Sequence, residues 1–226
     1  MDVPASPDAA RNICTSTTDI YPIGDASMQP LALSDRPRSD ALDHFSFASF
    51  VEEQRKTLHS RSMMLALSFL IEDYAAQSPG THLIAAFQRF SNYRRQIRRY
   101  RNIAPRLAQA FVLGFPDETP PALPNVTPVA LEAEWPLVHE WIVIAWGPTC
   151  AAALVAYDEE QCAPHRVSRR FQAIWTTSVA QIEPMVTAFY RTVGQPAPVF
   201  TRDLPAMQRT TVAMQKDLTA RLRAIR

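Results

Sequence analysis

Residues 82–115 read HLIAAFQRFSNYRRQIRRYRNIAPRLAQAFVLGF, an arginine-rich segment enclosed by two apolar runs. The runs at 82–87 and 108–115 have the length and composition of buried strands, and residues 91–107 between them have helical periodicity. Tyr93, Ile97 and Tyr100 predict the inner face of that helix, and the arginines its outer face. A dense cationic element beside core strands needs an anionic neighbour: the protein's own carboxylates, a small ligand or a partner.

The flanking sequence supplies further elements on both sides. Residues 60–77 carry apolar side chains at three- and four-residue spacings and predict a helix that ends at Ser78-Pro79-Gly80. Residues 129–132 suggest a short strand, and 137–146 with 149–157 predict a hairpin joined by Gly147-Pro148. Further helices are predicted at 44–56, 166–176, 178–193 and 204–226.

This order predicts an α+β fold with a small, mostly antiparallel sheet of about five strands flanked by helices. Along 141–146 both strand faces are apolar, so both should be covered. We expect an N-terminal arm at 1–43, partly disordered or packed on a partner. A domain at 44–200 and a C-terminal signalling or dimerisation helix at 201–226 follow it.

Composition and missing motifs argue against several classes of function. The net charge of +1 implies no general attraction to nucleic acid or membranes. Five glycines and no phosphate-binding motif disfavour nucleotide enzymes, and three cysteines and five histidines show no metal-ligand spacing. Neither a nucleophile elbow nor a membrane-spanning run occurs, and no signal peptide is visible. We therefore expect a cytoplasmic protein that is not an enzyme and holds no metal.

Four segments of the chain stand out: SRSMMLALS with IED at 60–73, AFQRF with YR and RYRNIA at 86–104, EWIVI to ALVA at 140–156, and RFQAIWT at 170–176. In this order they resemble the DICT sensory domain, whose family has the same succession of segments. The resemblance covers about residues 60–193, more than half of the chain.

This resemblance implies an input module of bacterial, especially cyanobacterial, diguanylate cyclases and two-component proteins. Such a module, of the GAF or PAS kind in architecture, detects a cue and passes it to an output domain or partner protein. The resemblance carries no catalytic residue to this chain and identifies neither ligand nor cofactor, so the cofactor is unknown.

Two groups of residues are candidates for binding a ligand or a partner. Arginines can bind anions as fork-shaped donors, while tryptophans can line a pocket. For the arginines, the main alternative is a face that is solvated or paired internally, for instance with acidic residues in 117–140. For the aromatic residues, the main alternative is ordinary packing in the core. The candidates are Arg89, Tyr93, Arg94, Arg98, Arg99, Arg101, Trp141, Trp146 and Trp175.

The C-terminal helix carries an apolar seam of about three heptads, enough for a two-stranded coiled coil. The same seam would equally suit a helix packed on its own domain. Its residues are Met207, Thr211, Met214, Leu218, Leu222 and Ile225.

The sequence thus predicts a non-catalytic sensor, a homodimer that binds a small ligand and relays its cue through the terminal helix. The alternative is an adaptor whose segment 89–106 docks on an acidic protein or, less expected, on nucleic acid.

Overall fold

The computed structural model describes residues 31–32, 44–52, 56–158 and 170–225, and an eight-stranded sheet forms its centre. The strands are β1 (Leu31–Ala32), β2 (Thr57–Ser60), β3 (His82–Arg89), β4 (Gln109–Phe115), β5 (Val126–Ala130), β6 (Glu140–Trp146), β7 (Ala151–Asp158) and β8 (Arg170–Thr176). The helices are α1 (Arg61–Gln77), α2 (Phe90–Arg95), α3 (Ile97–Ile103), α4 (Val179–Thr192) and α5 (Leu204–Ile225). The strand order is β1-β5-β4-β3-β6-β7-β8-β2.

The sheet is parallel on one side of β3 and antiparallel on the other. Ile84 of β3 lies opposite Phe111 of β4 in a parallel pair, and β5 and β1 extend this half. On its other edge, β3 pairs in antiparallel fashion with β6, and β7, β8 and β2 follow. Parallel neighbours need a crossover connection, which α2 and α3 provide between β3 and β4. β3 is therefore the strand at which the pairing changes from parallel to antiparallel.

Helices cover both faces of this sheet. On one face α1, α2, α3 and α5 pack against residues that include Leu83, Ala85 and Val143. On the opposite face α4, the first turn of α5 and two connecting segments, around 45–51 and 131–138, pack against residues that include Ile84 and Ile144. The two sets alternate along β3 and β6, as the pleat of a strand requires. The prediction that both faces of 141–146 are covered is confirmed.

The turn between β6 and β7 has a steric need for glycine. A Cβ at Gly147 would lie 2.4 Å from Oγ1 and 2.8 Å from Cα of Thr81. The hairpin therefore packs its turn directly against the segment that leads from α1 into β3. No helix within the described ranges combines the length and apolarity needed to cross a membrane.

The α+β class is confirmed, but the predicted sheet of about five mostly antiparallel strands is wrong. The sheet is larger, with eight strands. It is mixed because α2 and α3 form the crossover that makes β3 and β4 parallel. A helix at 166–176 is also wrong, since Arg170–Thr176 forms β8 between β7 and β2. The helix expected at 44–56 is a single 3-10 turn at Ala48–Phe50, and a short strand, β2, follows it. Apart from β1, the arm expected at 1–43 lies outside the described residues, as do residues 166–169.

Candidate functional site

A cavity of about 570 Å³ lies between α1, the start of α2 and the sheet. It sits beside the carboxyl end of β3, the strand that pairs in parallel with β4 and in antiparallel fashion with β6. Its apolar wall is largely aromatic and comes from α1, β3, β6 and β8: Leu65, Phe69, Phe87, Trp141, Val143 and Phe171. This volume and lining are typical of a small-molecule site.

A hydrogen-bond chain holds the indole of Trp141 in the cavity wall. Trp141 Nε1 donates to Ser68 Oγ at 2.9 Å, and Ser68 Oγ donates to the carbonyl of Met64 at 2.9 Å. Ser68 is buried on α1, where a hydroxyl without a hydrogen-bond partner would be costly in free energy. The indole N–H of Trp141 and the carbonyl of Met64 both serve as its partners. The indole is thereby fixed before any ligand arrives.

The end of β3 has a strained backbone at the cavity. Gln88 lines the cavity with a φ of 63°, in the left-handed region that non-glycine residues seldom adopt. The β3–β4 pairing is irregular between Ala86 and Arg89, and Asn92 Nδ2 holds the carbonyl of Phe87 at 3.0 Å. Such strain persists only where surrounding contacts enforce it, and it is concentrated at functional sites.

Glu72 is a buried carboxylate in the wall of the cavity. Arg99 Nε donates to Glu72 Oε2 at 2.6 Å, and the Tyr100 hydroxyl donates to Oε1 at 3.0 Å. Burial raises the pKa of Glu72, and Arg99 and Tyr100 oppose that rise. Burial alone would lower the pKa of Arg99, but Glu72 and Asp73 outweigh it and raise the pKa, so the guanidinium stays charged.

The same ion-pair network reaches α5. Arg99 also donates to Asp73 Oδ1 at 2.6 Å, and Arg221 of α5 donates to Asp73 Oδ2 at 2.8 Å. One turn away, the Tyr74 hydroxyl donates to Asp217 of α5 at 2.8 Å. Burial, followed by the bond to Asp217, raises the pKa of Tyr74 to about 12, so it remains a donor at neutral pH. Two successive residues of α1 thus bind α5.

The structure brings few of the predicted binding residues together. Trp141 lines the cavity. Arg99 is not a lining residue, but it binds Glu72, which is one. Arg94 pairs with Glu118, and Arg89 stacks over Phe115 at 5.5 Å.

The remaining predicted residues lie elsewhere. Arg98 and Arg101 are exposed, whereas Tyr93 is buried core and its hydroxyl has no partner among the described residues. Trp146 lies on the opposite face under Arg202, and the indole N–H of Trp175 is buried without a described partner. Binding by this set stays a prediction.

Internal pairing of the arginine segment is real, but its most buried carboxylate partner, Glu72, lies in α1. Within 117–140, Glu118 binds Arg94, and Asp117 accepts the backbone N–H of Ser91 at 3.0 Å. Glu140 instead accepts the backbone N–H groups of Phe47 at 3.0 Å and Ala48 at 3.4 Å. Burial raises the pKa of Glu140, against these donors and the Ser46 hydroxyl.

Sequence reasoning missed most of the polar cavity lining. Arg61, Glu72, Gln88, Asn92 and Arg95 line it and were not among the candidates. A signal was present, because no acidic residue occurs between Asp73 and Asp117. The last carboxylates before the arginines were therefore natural partners for them. No group of side chains suited to a metal ion occurs within the described part of the chain.

The seam of α5 is largely used within the domain. Met214 is fully buried in the core cluster with α1, and Leu218 packs against that cluster. Met207 is buried in the core of the opposite face, while Thr211 and Leu222 are half-buried. The side chain of Ile225 lies outside the described residues. Of the two alternatives for this helix, packing on its own domain is the one present; dimerisation and relay stay predictions.

Comparison with known proteins identifies a family but no individual relative. No curated protein and no solved structure matches the chain. The sequence model of the DICT domain, described as a sensory domain in diguanylate cyclases and two-component systems, matches residues 42–159. The match takes in β2 to β7, with α1, the arginine segment and every cavity-lining residue except Phe171. Since it spans more than half of the 226 residues, the chain belongs to the DICT family of sensory domains.

Proposed function

We propose that this chain is a non-catalytic sensor that binds a small ligand in the cavity beside β3 and reports occupancy through α5. The observation that carries the proposal is the position of Glu72. It lines the cavity and also belongs to the ion-pair network that ends on Arg221. A ligand that moves α1 or Glu72 therefore acts on the contacts that hold α5.

The relay follows from the arrangement of these charges. Arg99 divides its donors between Glu72 and Asp73, and Asp73 divides its acceptors between Arg99 and Arg221. A shift of Glu72 changes the hydrogen bond that Arg99 donates to Asp73. It therefore also changes the strength of the ion pair between Asp73 and Arg221. Such a network supports two closely balanced arrangements, whose populations a ligand shifts by its differential affinity.

A cavity-filling variant tests the sensory role. Leu65 is a half-buried lining residue, so Leu65→Trp should fill the cavity while α1 still folds. A collection of metabolites is screened by thermal shift on the wild-type chain, on Leu65→Trp and on Leu58→Trp, an exposed control in β2. We expect at least one compound to stabilise the wild type and the control but not Leu65→Trp.

Hydrogen exchange then tests the relay. The same compound should change amide exchange in α5 of the wild type, and Asp73→Asn should abolish that change while leaving binding intact. The sensory role is refuted if no compound distinguishes the wild type from Leu65→Trp. The relay alone is refuted if a bound compound leaves α5 exchange unaltered.

We further propose that the output is an attached domain or a partner protein and that the chain acts as a homodimer. The exposed side chains of Leu204 and Val212 support a contact along α5 that does not compete with its packing on α1. Native mass spectrometry of the wild type and of Val212→Glu tests the dimer. A monomer in the wild type would exclude it.

The adaptor is the second candidate, and the exposure of Arg98 and Arg101 favours it. Neither forms an ion pair with a described residue, so both are free to meet an acidic surface. Charge-driven docking of this kind weakens steeply with ionic strength, whereas binding in the cavity does not. Partner binding unchanged by Arg98→Gln with Arg101→Gln would exclude the adaptor.

A further inference from the structure

The cavity combines an aromatic wall with an opening that carries positive charge. The indole of Trp141 and the rings of Phe69 and Phe171 form the wall, and the first of these is fixed by its bond to Ser68. Fixed aromatic rings favour a flat or apolar ligand body, because they bury its surface without losing their own freedom.

Two arginines in the lining have no carboxylate partner among the described residues. Arg61 begins α1 and Arg95 ends α2, and both are exposed, so they lie at the opening of the cavity. Neither guanidinium group forms an ion pair or hydrogen bond with any described residue. Arg94 and Arg99 lie close to Arg95 in the sequence but differ from it, because they are bound to Glu118 and Glu72 respectively.

Glu72, the carboxylate among the described lining residues, does not offset this charge. Both oxygens of Glu72 are occupied, one by Arg99 and the other by Tyr100. The remaining polar lining residues include the amides of Gln88, Asn92 and Gln96, which are neutral. Among the described lining residues, the opening therefore carries a net positive charge, and an aromatic wall lies in the same cavity.

We propose that the ligand of this cavity is a small aromatic or apolar anion, whose carboxylate, sulfonate or phosphate group is bound by Arg61 and Arg95 while its ring system contacts Trp141 and Phe171. This inference rests on the proposed sensory function, since it names the class of ligand for the same cavity. Guanidinium groups suit such anions because they donate in a planar fork.

A matched pair of fluorescent probes tests the charge requirement. The anionic probe is 8-anilinonaphthalene-1-sulfonate, and N-phenyl-1-naphthylamine is its neutral counterpart with the same ring system. Both are titrated into the full chain, and the fluorescence gain gives affinity and stoichiometry. The variants are Arg61→Gln, Arg95→Gln and Leu65→Trp, with Arg98→Gln as the matched control, since it removes an equal charge outside the cavity.

We expect the sulfonate to bind one site and to bind it more tightly than the neutral probe. Arg61→Gln and Arg95→Gln should each weaken the sulfonate about tenfold, as expected for a charge-assisted hydrogen bond, and leave the neutral probe unchanged. Arg98→Gln should alter neither probe, and Leu65→Trp should weaken both.

Three results would overturn the inference, and they differ in whether they also reject the proposed function of the cavity. Equal binding of the two probes, lost in Leu65→Trp, rejects the anion and leaves the ligand cavity in place. The same holds if Arg98→Gln weakens the sulfonate as much as Arg95→Gln does. If Leu65→Trp weakens neither probe, both the anion and the proposed cavity function fall.

Discussion

Replacing Arg99 by glutamine should destabilise the fold in a way that depends on pH, because it leaves Glu72 buried without its cation. The Glu72 side chain is 4% exposed and that of Arg99 is 24% exposed, so the pair is largely shielded from water. Glutamine keeps the length of the side chain and some hydrogen-bonding capacity, so charge is the main property removed. The Tyr100 hydroxyl remains as a donor to Glu72.

The structure places the expected loss near the lower end of the range for a broken buried ion pair. Removing one partner of such a pair costs about 3–5 kcal/mol. Because Arg99 keeps some solvent contact and Tyr100 still donates, we expect about 3 kcal/mol at neutral pH. With a urea dependence of about 2–3 kcal/mol/M, the unfolding midpoint falls by about 1 M.

The loss should shrink as the pH falls. Burial raises the pKa of folded Glu72 above its ordinary value of 4.5, so the folded state takes up the proton at a higher pH than the unfolded state. Protonation therefore favours folding, and the penalty of the buried charge disappears as the pH falls through the folded-state pKa towards 4.5. Without Arg99, which opposes the rise in pKa, this window begins at a higher pH in the variant.

Urea unfolding at pH 7.5 and pH 5 measures both quantities. Arg98→Gln is the control, since Arg98 is exposed on the same helix and its loss should change stability by less than about 0.5 kcal/mol. Glu72→Gln combined with Arg99→Gln should recover part of the stability at pH 7.5, because no buried charge remains. An Arg99→Gln variant with the control's stability, or an equal loss at both pH values, would refute this reasoning.

Three further predictions concern contacts elsewhere in the fold. Met214→Ala should lower the free energy of unfolding in urea by about 2–4 kcal/mol, because the side chain is fully buried against α1. Val212→Ala on the exposed side of α5 should cost little, and equal effects of the two variants would contradict the packing of α5. Gly147→Ala should lower the stability by about 1–3 kcal/mol through overlap with Thr81, and an unchanged melting temperature would count against this turn. Glu140→Ala should cost about 1–3 kcal/mol, because it leaves the buried N–H of Phe47 and the partly buried N–H of Ala48 unpaired, and amide exchange there should be faster. Unaltered exchange at these amides would show that Glu140 does not anchor the segment.

The local pattern of the sequence predicted most elements correctly. Ser60 caps α1 by accepting the N–H of Met63, and Gln77 is its last residue, so the predicted helix 60–77 matches to within a residue. The arginine segment is helical as expected, although it divides at Gln96 into α2 and α3. These elements depend on periodicity and capping, which act over a few residues and can be recognised from sequence.

The segment 170–176 shows where local pattern was insufficient. Its alternation places Phe171 and Ala173 in the core on one face of the sheet and Ile174 against the other, which is a strand pattern. The spacing of Val167, Phe171, Ile174 and Trp175 equally fits a helix, and short apolar runs do not distinguish the two. The open edge of β7 and the partner strand β2 decided the outcome.

The sequence by itself determined the chemical character of this protein: a cationic helix between two apolar strands, a covered hairpin, and membership of a sensory family. It also required an anion for the arginines. Only the tertiary structure decided which anions those are, since Glu72 and Asp73 meet Arg99 after α1 and α3 pack on the same face of the sheet. The direction of β3, β4 and β5 and the cavity beside them were likewise undetermined, because strand pairing and enclosed space depend on contacts between distant segments that no local pattern encodes.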